Sequence, residues 1–249
     1  MLNVFVNGCN GKMGNVVCSL VEENKNMQVI GGFDKVSYSE SKFPIFTEVE
    51  NIDVKPDVII DFSLPVATLN ILNYAKINKI PMVIATTGFT DEETKIIEEA
   101  SKTIPIFKSA NMSFDIMLMK KIVSWLAPLL KNTDIEIIEA HHNRKVDSPS
   151  GTAQMLADSI NESLGNTLHC EYNRHDKHEK RDKNEIGMSS IRGGNIVGEH
   201  SVQFIGNFET FEIKHTSYSR NVFAEGALRA AEFIASQQPG MYAMEDMFN

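Results

Sequence analysis

Hydrophobic positions fall in short, regularly interrupted blocks along the first part of the chain. Residues 2–7 form a brief apolar run that reads as a buried strand. The run breaks at Gly8-Cys9-Asn10-Gly11-Lys12-Met13-Gly14, after which Met13, Val16, Val17 and Leu20 recur at helical spacing over 12–23. The alternation continues, with strands predicted over 27–33, 58–62, 82–86 and 104–108 and helices over 67–78 and 91–101. Residues 35–55 are polar and irregular. Strands alternating with helices predict a parallel, doubly wound sheet.

The pattern changes after Asn111. A long apolar helix is predicted over 116–130, a strand over 134–140 and a helix over 153–163. Residues 169–185 are almost wholly polar and read as a solvated loop. Strand signals follow over 188–192, 197–205 and 208–217, with Gly206-Asn207 as a hairpin turn. Phe211 and Ile213 alternate with polar neighbours, as on a half-covered sheet. A helix over 221–236 stops at Pro239-Gly240. The expected fold class is α/β: an N-terminal Rossmann-type doubly wound parallel sheet, plus an α+β C-terminal domain with a mixed, mostly antiparallel sheet.

Composition narrows the function classes. The chain has 249 residues, 42% of them hydrophobic, enough to bury an ordinary core. A formal net charge of -9 argues against a nucleic-acid partner, because phosphate backbones demand a basic face. No apolar run approaches the ~20 residues of a membrane helix, and no signal-peptide pattern opens the chain. A cytoplasmic protein without a membrane partner is expected. Cys9, Cys18 and Cys170 are odd in number and widely spaced, as free thiols in a reducing compartment are. No Cys/His spacing resembles a structural zinc site, so no metal is expected.

The Gly8-x-x-Gly11-x-x-Gly14 turn joins a strand to a helix. Glycines there permit a tight turn and close approach of backbone N–H groups to a pyrophosphate, beside a helix N-terminus. The spacing departs from G-x-G-x-x-G, so the motif alone is weak. Asp34 stands 20 residues after Gly14, at the end of the second strand, where an acid can bind the adenosine ribose. This context favours a dinucleotide over an unliganded turn. A carboxylate repels a 2′-phosphate, whereas Lys35 next to it offsets that repulsion. Both NADH and NADPH are therefore permitted, with NADH slightly preferred. Thr86-Thr87-Gly88 and Ala110-Asn111 also end strands on the edge where open α/β sheets bind ligands.

The densest chemistry is E-A-H-H-N-R-K-V-D-S-P-S-G-T-A over 139–153. His141, His142, Arg144 and Lys145 gather proton carriers and cations in an acidic chain, as a site for an anion that gains or loses a proton would. Adjacent strand histidines point to opposite faces, so both share one pocket only if the strand ends there. With Ser148 as N-cap and Pro149 as the first helical residue, backbone N–H groups and the Thr152 hydroxyl would form an anion nest suited to a carboxylate. Asp147 is expected to fix this turn or Lys145 rather than to act as a base. Arg192 and the Gly198-Glu199-His200 run read equally as strand turns or as a substrate wall.

These segments together resemble the bacterial 4-hydroxy-tetrahydrodipicolinate (dihydrodipicolinate) reductase family over nearly the whole chain. The resemblance rests on G-C-N-G-K-M-G at 8–14, A-T-T-G-F at 85–89, S-A-N-M-S at 109–113, the 139–153 segment, R-G-G-N-I-V-G-E-H at 192–200 and S-R-N-V-F-A-E-G-A at 219–227. It implies NAD(P)H-dependent reduction of a cyclic dicarboxylate in lysine and diaminopimelate synthesis. It also implies His141 and Lys145 as proton donors, with His142 and Gly151-Thr152 on the substrate. The nicotinamide side would be lined by Ala85, Thr86, Thr87 and Gly88 and by Ala110, Asn111 and Met112. The glycine loop from Gly8 to Met13, with Asp34 and Lys35, would hold the rest of the dinucleotide. Departures from the family pattern are Ala85 for glycine, Ser148 for alanine and Met112 for phenylalanine. The resemblance further implies a homotetramer, and domains at 1–112 with 221–249 and at 113–220. Two other readings are a different two-domain NAD(P) oxidoreductase and a non-catalytic nucleotide sensor. A thioester-forming dehydrogenase lacks a suitably placed cysteine, and a sensor needs no His141–Lys145 cluster.

Overall fold

The computed structural model describes residues 1–175 and 177–248. The chain divides into two compact units, one of Met1–Ser113 together with the chain from Asn221 onward, the other Phe114–Arg220.

The first unit is built on a seven-stranded sheet. Its strands are β1 (Leu2–Asn7), β2 (Met27–Phe33), β3 (Ile45–Phe46), β4 (Val58–Asp61), β5 (Met82–Ile84), β6 (Pro105–Lys108) and β12 (Gly240–Tyr242), in the order β12-β6-β5-β4-β1-β2-β3. Every pairing is parallel. Helices α1 (Lys12–Glu23) and α6 (Asn221–Ile234) pack together on the sheet, and α2 (Pro65–Asn78) and α3 (Asp91–Ser101) form a second pair. Strands covered on both faces are near-continuous in apolar residues, and Val4, Phe5, Val6, Ile59, Ile60 and Met82 are fully buried. Thr90 caps α3 through a capping box with Glu93. Two expectations need correction. The polar 35–55 stretch holds β3 and a 3-10 turn, Val49–Asn51, because two residues suffice to extend the edge beside β2. The last α-helix ends at Ile234, ahead of Pro239-Gly240, and Gly240 instead opens the edge strand β12 on β6.

The second unit carries a five-stranded sheet of β7 (Asp134–His141), β8 (His169–Glu171), β9 (Glu185–Arg192), β10 (Gly198–Ile205) and β11 (Thr210–Ser217), ordered β11-β10-β7-β9-β8. The sheet is mixed. β10 pairs antiparallel with β11 and β7, while β9 pairs parallel with β7 and β8. The antiparallel pairings are the longer part of the sheet, and β8, in the stretch read as a loop, adds a short parallel one. Helices α4 (Phe114–Leu126) and α5 (Gly151–Ser163) pack against each other. They enclose Ile135, Ile137, Val202, Phe204 and Met188 with Val123, Ala153 and Leu156.

The 169–185 stretch is polar without being simply solvated. Arg174 pairs with Glu185 at 2.5 Å, and Arg181 bridges Glu136 and Glu185 while donating to the Ile135 and Glu185 carbonyls. The Glu185 side chain is buried, so its charge requires these partners. The hairpin turn also spans more than Gly206-Asn207. Ile205 pairs with Thr210, and the Gly206 N–H donates to the Glu209 carbonyl, which makes a four-residue loop.

Candidate active site

In the first unit the loops after β1, β2 and β4 surround a cavity of about 380 Å³ at the C-terminal edge of the sheet, where strand order reverses between β1 and β4. Gly8, Asn10, Gly11, Asp34 and Lys35 line it, with Asn7, Phe33, Phe62, Ser63, Leu64 and Ala67. Gly8 has φ +79, and a Cβ there would stand 2.6 Å from the Phe62 carbonyl oxygen. At Gly14 a Cβ would collide with the Gly8 carbonyl, so this glycine lets α1 seat directly under the loop. Asp34 Oδ2 accepts the Asn10 N–H at 2.9 Å, Oδ1 accepts the Lys35 N–H at 2.7 Å, and Asn10 Nδ2 donates to the Val36 carbonyl. The acid thus holds the glycine loop against the end of β2. A cavity floored by glycines at a helix N-terminus, with a carboxylate at the second strand end, fits a dinucleotide.

The other nucleotide-side candidates are disposed differently. The Cys9 side chain is buried against Gly32, and burial, with Asp34 nearby, pushes its thiol up to about 12. Only the Cys9 backbone is left to face a ligand. Lys12 is exposed and Met13 half-buried at the start of α1. The buried Thr86 hydroxyl accepts the Ser63 N–H at 2.9 Å. It also bonds the wholly buried Asp61, which Asn7, Ser63 and Thr68 contact as well. Burial raises the Asp61 pKa despite these donors. Ala85 and Thr87 flank Thr86, and Gly88 adopts φ +84 in open space. Ala110 is exposed, and Asn111 Oδ1 accepts the Ser113 N–H at 2.9 Å. Met112 is buried, with its carbonyl against Gly226 of α6.

In the second unit β7 runs into the loop that carries His142, Arg144 and Lys145. His141 is the last residue of the strand, and His142 follows it, so the strand ends between them. Gly193 N–H donates to the His141 carbonyl and Asn143 N–H to the Gly194 carbonyl, which zips this loop to the turn after β9. Arg144 reinforces the same joint by donating to Asn195 Oδ1 at 3.0 Å and to Asn143 Oδ1 at 3.3 Å. Lys145 Nζ pairs with Asp147 Oδ2 at 2.8 Å, and this bond holds the Asp147 carboxyl below its usual range. Desolvation, with Arg144 and Arg220 beside it, lowers the His142 pKa.

The helix cap falls two residues later than expected. Ser150, not Ser148, is the N-cap of α5: its hydroxyl accepts the Ala153 N–H at 3.2 Å, and Gly151 is the first helical residue. A Cβ at Gly151 would meet nothing within 4 Å, so there is open space beside this residue at the start of α5. The Ser150 hydroxyl also bonds His200 Nε2 at 3.0 Å. His200 is buried, its ring edge-on to His141 at 5.2 Å, and burial together with the neighbouring His141 lowers its pKa to about 4. It is neutral near pH 7. Among the described residues, no group of three His, Cys, Asp or Glu side chains is placed to hold a metal ion.

The first unit thus holds a glycine-lined cavity that fits a dinucleotide, and the second holds a histidine–lysine cluster between β7 and α5. Residues 2–112 match the family model for dihydrodipicolinate reductase, N-terminus, and residues 115–248 that for dihydrodipicolinate reductase, C-terminus. The chain belongs to the dihydrodipicolinate reductase family. It is 48% identical to 4-hydroxy-tetrahydrodipicolinate reductase of Caldanaerobacter subterraneus subsp. tengcongensis, over 99% of this chain and 98% of the relative. It is 46% identical to the enzyme of that name from Clostridium tetani, over 100% and 98%. Among solved structures it resembles dipicolinate-bound dihydrodipicolinate reductase from Paenisporosarcina sp. TG-14, at 26% identity and TM-score 0.84 over 99% of each chain.

Several residues around these candidate sites gain their place only through the fold. Glu139 is the clearest case. It precedes His141 by two, so strand periodicity alone puts both side chains on one face. Its carboxylate bonds His141, Arg192 and the Ser150 N–H. Arg192 and His200 come from flanking strands, and no local pattern announces which strands flank. Ser63 and Leu64 line the dinucleotide cavity because β4 neighbours β1, an order that the expected sheet did not specify.

Proposed function

We propose that this chain reduces (2S,4S)-4-hydroxy-2,3,4,5-tetrahydrodipicolinate to 2,3,4,5-tetrahydrodipicolinate with loss of water, using NADH or NADPH, in lysine and diaminopimelate synthesis. The observation that carries the reading is the β7–α5 connection, which gathers His141, His142 and Lys145 between the end of β7 and the start of α5 at Gly151. The Gly8–Met13 loop with Asp34 and Lys35 would hold the dinucleotide, and residues 85–88 and 110–112 its nicotinamide end. The chemistry a nicotinamide supplies when bound is a hydride, here to C4 of the dehydrated ring. The electron density left at C3 needs a proton. His141, with Lys145 as second donor, delivers it. His142 and the Gly151-Thr152 backbone bind a substrate carboxylate, for which a helix N-terminus is suited. Lys145 and Arg144 add positive charge in a chain that is otherwise acidic.

The Asp34 carboxylate supports NADH as the slightly preferred cofactor. The two buried free thiols, Cys9 and Cys18, support a cytoplasmic setting. The second unit's sheet is covered by α4 and α5 on one face, and its other face supports a homotetramer built through that sheet. A monomeric mass by light scattering at micromolar concentration would contradict it. The activity is tested by NADH oxidation at 340 nm with substrate freshly made by a coupled synthase. Turnover by wild type and its loss in His141→Ala and Lys145→Ala is expected. No turnover by wild type, or equal turnover by the double variant, overturns the reading.

A further inference from the structure

We propose that Glu139, clamped by Arg192, is a positioning residue that fixes the tautomer of His141 and so makes Nε2 the atom through which its proton passes. The proposal rests on the reading of His141 as proton donor.

Glu139 and His141 lie on one face of β7, the central strand of the sheet. The Glu139 side chain is only 1% exposed, and Oε2 stands 2.6 Å from His141 Nδ1. Arg192, from the end of β9, donates to both carboxylate oxygens, at 2.8 Å to Oε2 and 2.7 Å to Oε1. The Ser150 backbone N–H donates to Oε1 at 3.1 Å. This two-pronged grip stops the carboxylate from rotating away from the imidazole. Burial pushes the Glu139 pKa up, but the hydrogen bonds from Arg192, Ser190 and His141 outweigh it and hold the carboxyl at about 2.

An ionised carboxylate only accepts hydrogen bonds, so the hydrogen between the two side chains sits on His141 Nδ1. The variable proton is then confined to Nε2. That atom faces Gly198 of β10, where the missing side chain leaves room in front of it. Arg192 neutralises Glu139, so protonating His141 adds a single charge beside a compensated pair. His200, neutral and edge-on, adds no second cation. Arg192 also donates to the Asp147 carbonyl at 2.6 Å, which ties the loop carrying Lys145 to the same clamp.

The test uses the full chain. Nitrogen-15 spectra of histidine-labelled protein read the neutral tautomer of His141 directly, assigned by comparison with His141→Ala. Wild type is expected to carry its hydrogen on Nδ1. In Glu139→Gln the amide N–H₂ facing Nδ1 moves the hydrogen to Nε2. Its kcat is expected to fall about 100-fold or more, as when a tautomer-fixing acid is lost elsewhere, with KM for substrate changed less than about threefold. The limb of the pH profile that reports His141 should move, and Glu139→Asp should restore part of kcat. A wild-type His141 protonated on Nε2 overturns the proposal even if the variants fail to fold. So does a Glu139→Gln enzyme with wild-type kcat and pH profile while His141→Ala is inactive. Wild-type turnover by His141→Ala overturns instead the proton-donor reading beneath it.

Discussion

Gly198 faces the ring of His141 so closely that a Cβ built at position 198 would stand 3.2 Å from His141 Nε2. The contact is tight but not prohibitive, so Gly198→Ala is expected to fold and to crowd the proton-carrying edge of the imidazole. Displacing a reacting group by a fraction of an ångström lowers kcat, here by about 10- to 100-fold. Steady-state kinetics beside an unchanged thermal melt checks this. An unaltered kcat would mean that Nε2 does not need the space.

Asp34 joins cofactor choice to loop geometry. Its carboxylate accepts the Asn10 and Lys35 N–H groups while facing the dinucleotide cavity. Asp34→Asn keeps one acceptor oxygen for these two donors, turns its N–H₂ on the other, and removes the charge that opposes a 2′-phosphate. The ratio of kcat/KM for NADPH to that for NADH is expected to rise about tenfold. Asp34→Ala is expected to weaken both cofactors, because it also frees Asn10 from the end of β2. Equal ratios in wild type and Asp34→Asn would remove Asp34 from cofactor discrimination.

The legibility of these features in the sequence follows from their range. Period and punctuation identify β1, α1 and β2 to the residue, because two short, mainly apolar runs flank one stretch of helical spacing and glycine or a charge ends each run. They miss β8 and the start of β9, where Arg174, Arg181 and Glu185, with Glu136 of β7, satisfy one another in a stretch whose polarity reads as solvent. They miss β3 and β12 because two- and three-residue edge strands take their shape from the neighbour they pair with. At the site, residues adjacent in sequence were legible as a cluster, from His141 to Thr152. The Glu139–His141 bond was legible in principle from period 2. Arg192, Gly198 and His200 acquire meaning only through the register of β9 and β10 on β7, which local pattern does not encode.

Gly226 offers a test of packing in the first unit. It lies in α6, and a Cβ there would collide with the Met112 carbonyl oxygen. The obstacle is backbone, which cannot swing aside as a side chain does. Gly226→Ala is therefore expected to destabilise the protein by about 1–3 kcal/mol or more, although alanine is intrinsically the better helix former. Urea denaturation checks the sign. A neutral or stabilising result would show that helix propensity outweighs the clash and that the 110–112 loop shifts freely.

His200 and Glu139 give the stability of the second unit a defined dependence on acid. The His200 pKa falls from an ordinary 6.5 to about 4 in the fold, so the unfolded chain binds the proton more readily. Its contribution is therefore complete above pH 6.5 and is lost as pH falls from 6.5 through 4. A shift of this size corresponds to something on the order of 3 kcal/mol. Glu139, depressed from 4.5 to about 2, contributes above pH 4.5 and loses its share as pH falls from there through 2. Stability should thus decline in two overlapping stages, the upper one led by His200, with His142 and His215, also lowered from 6.5, adding to it. In His200→Gln the side chain stays neutral and able to bond Ser150, so the loss between pH 6.5 and 4.5 should shrink, leaving the part due to His142 and His215. The lower stage should remain. Urea midpoints measured at half-unit intervals from pH 7 to pH 3 read both. An undiminished upper slope in His200→Gln would assign it to other groups and remove the case for a neutral His200 beside His141.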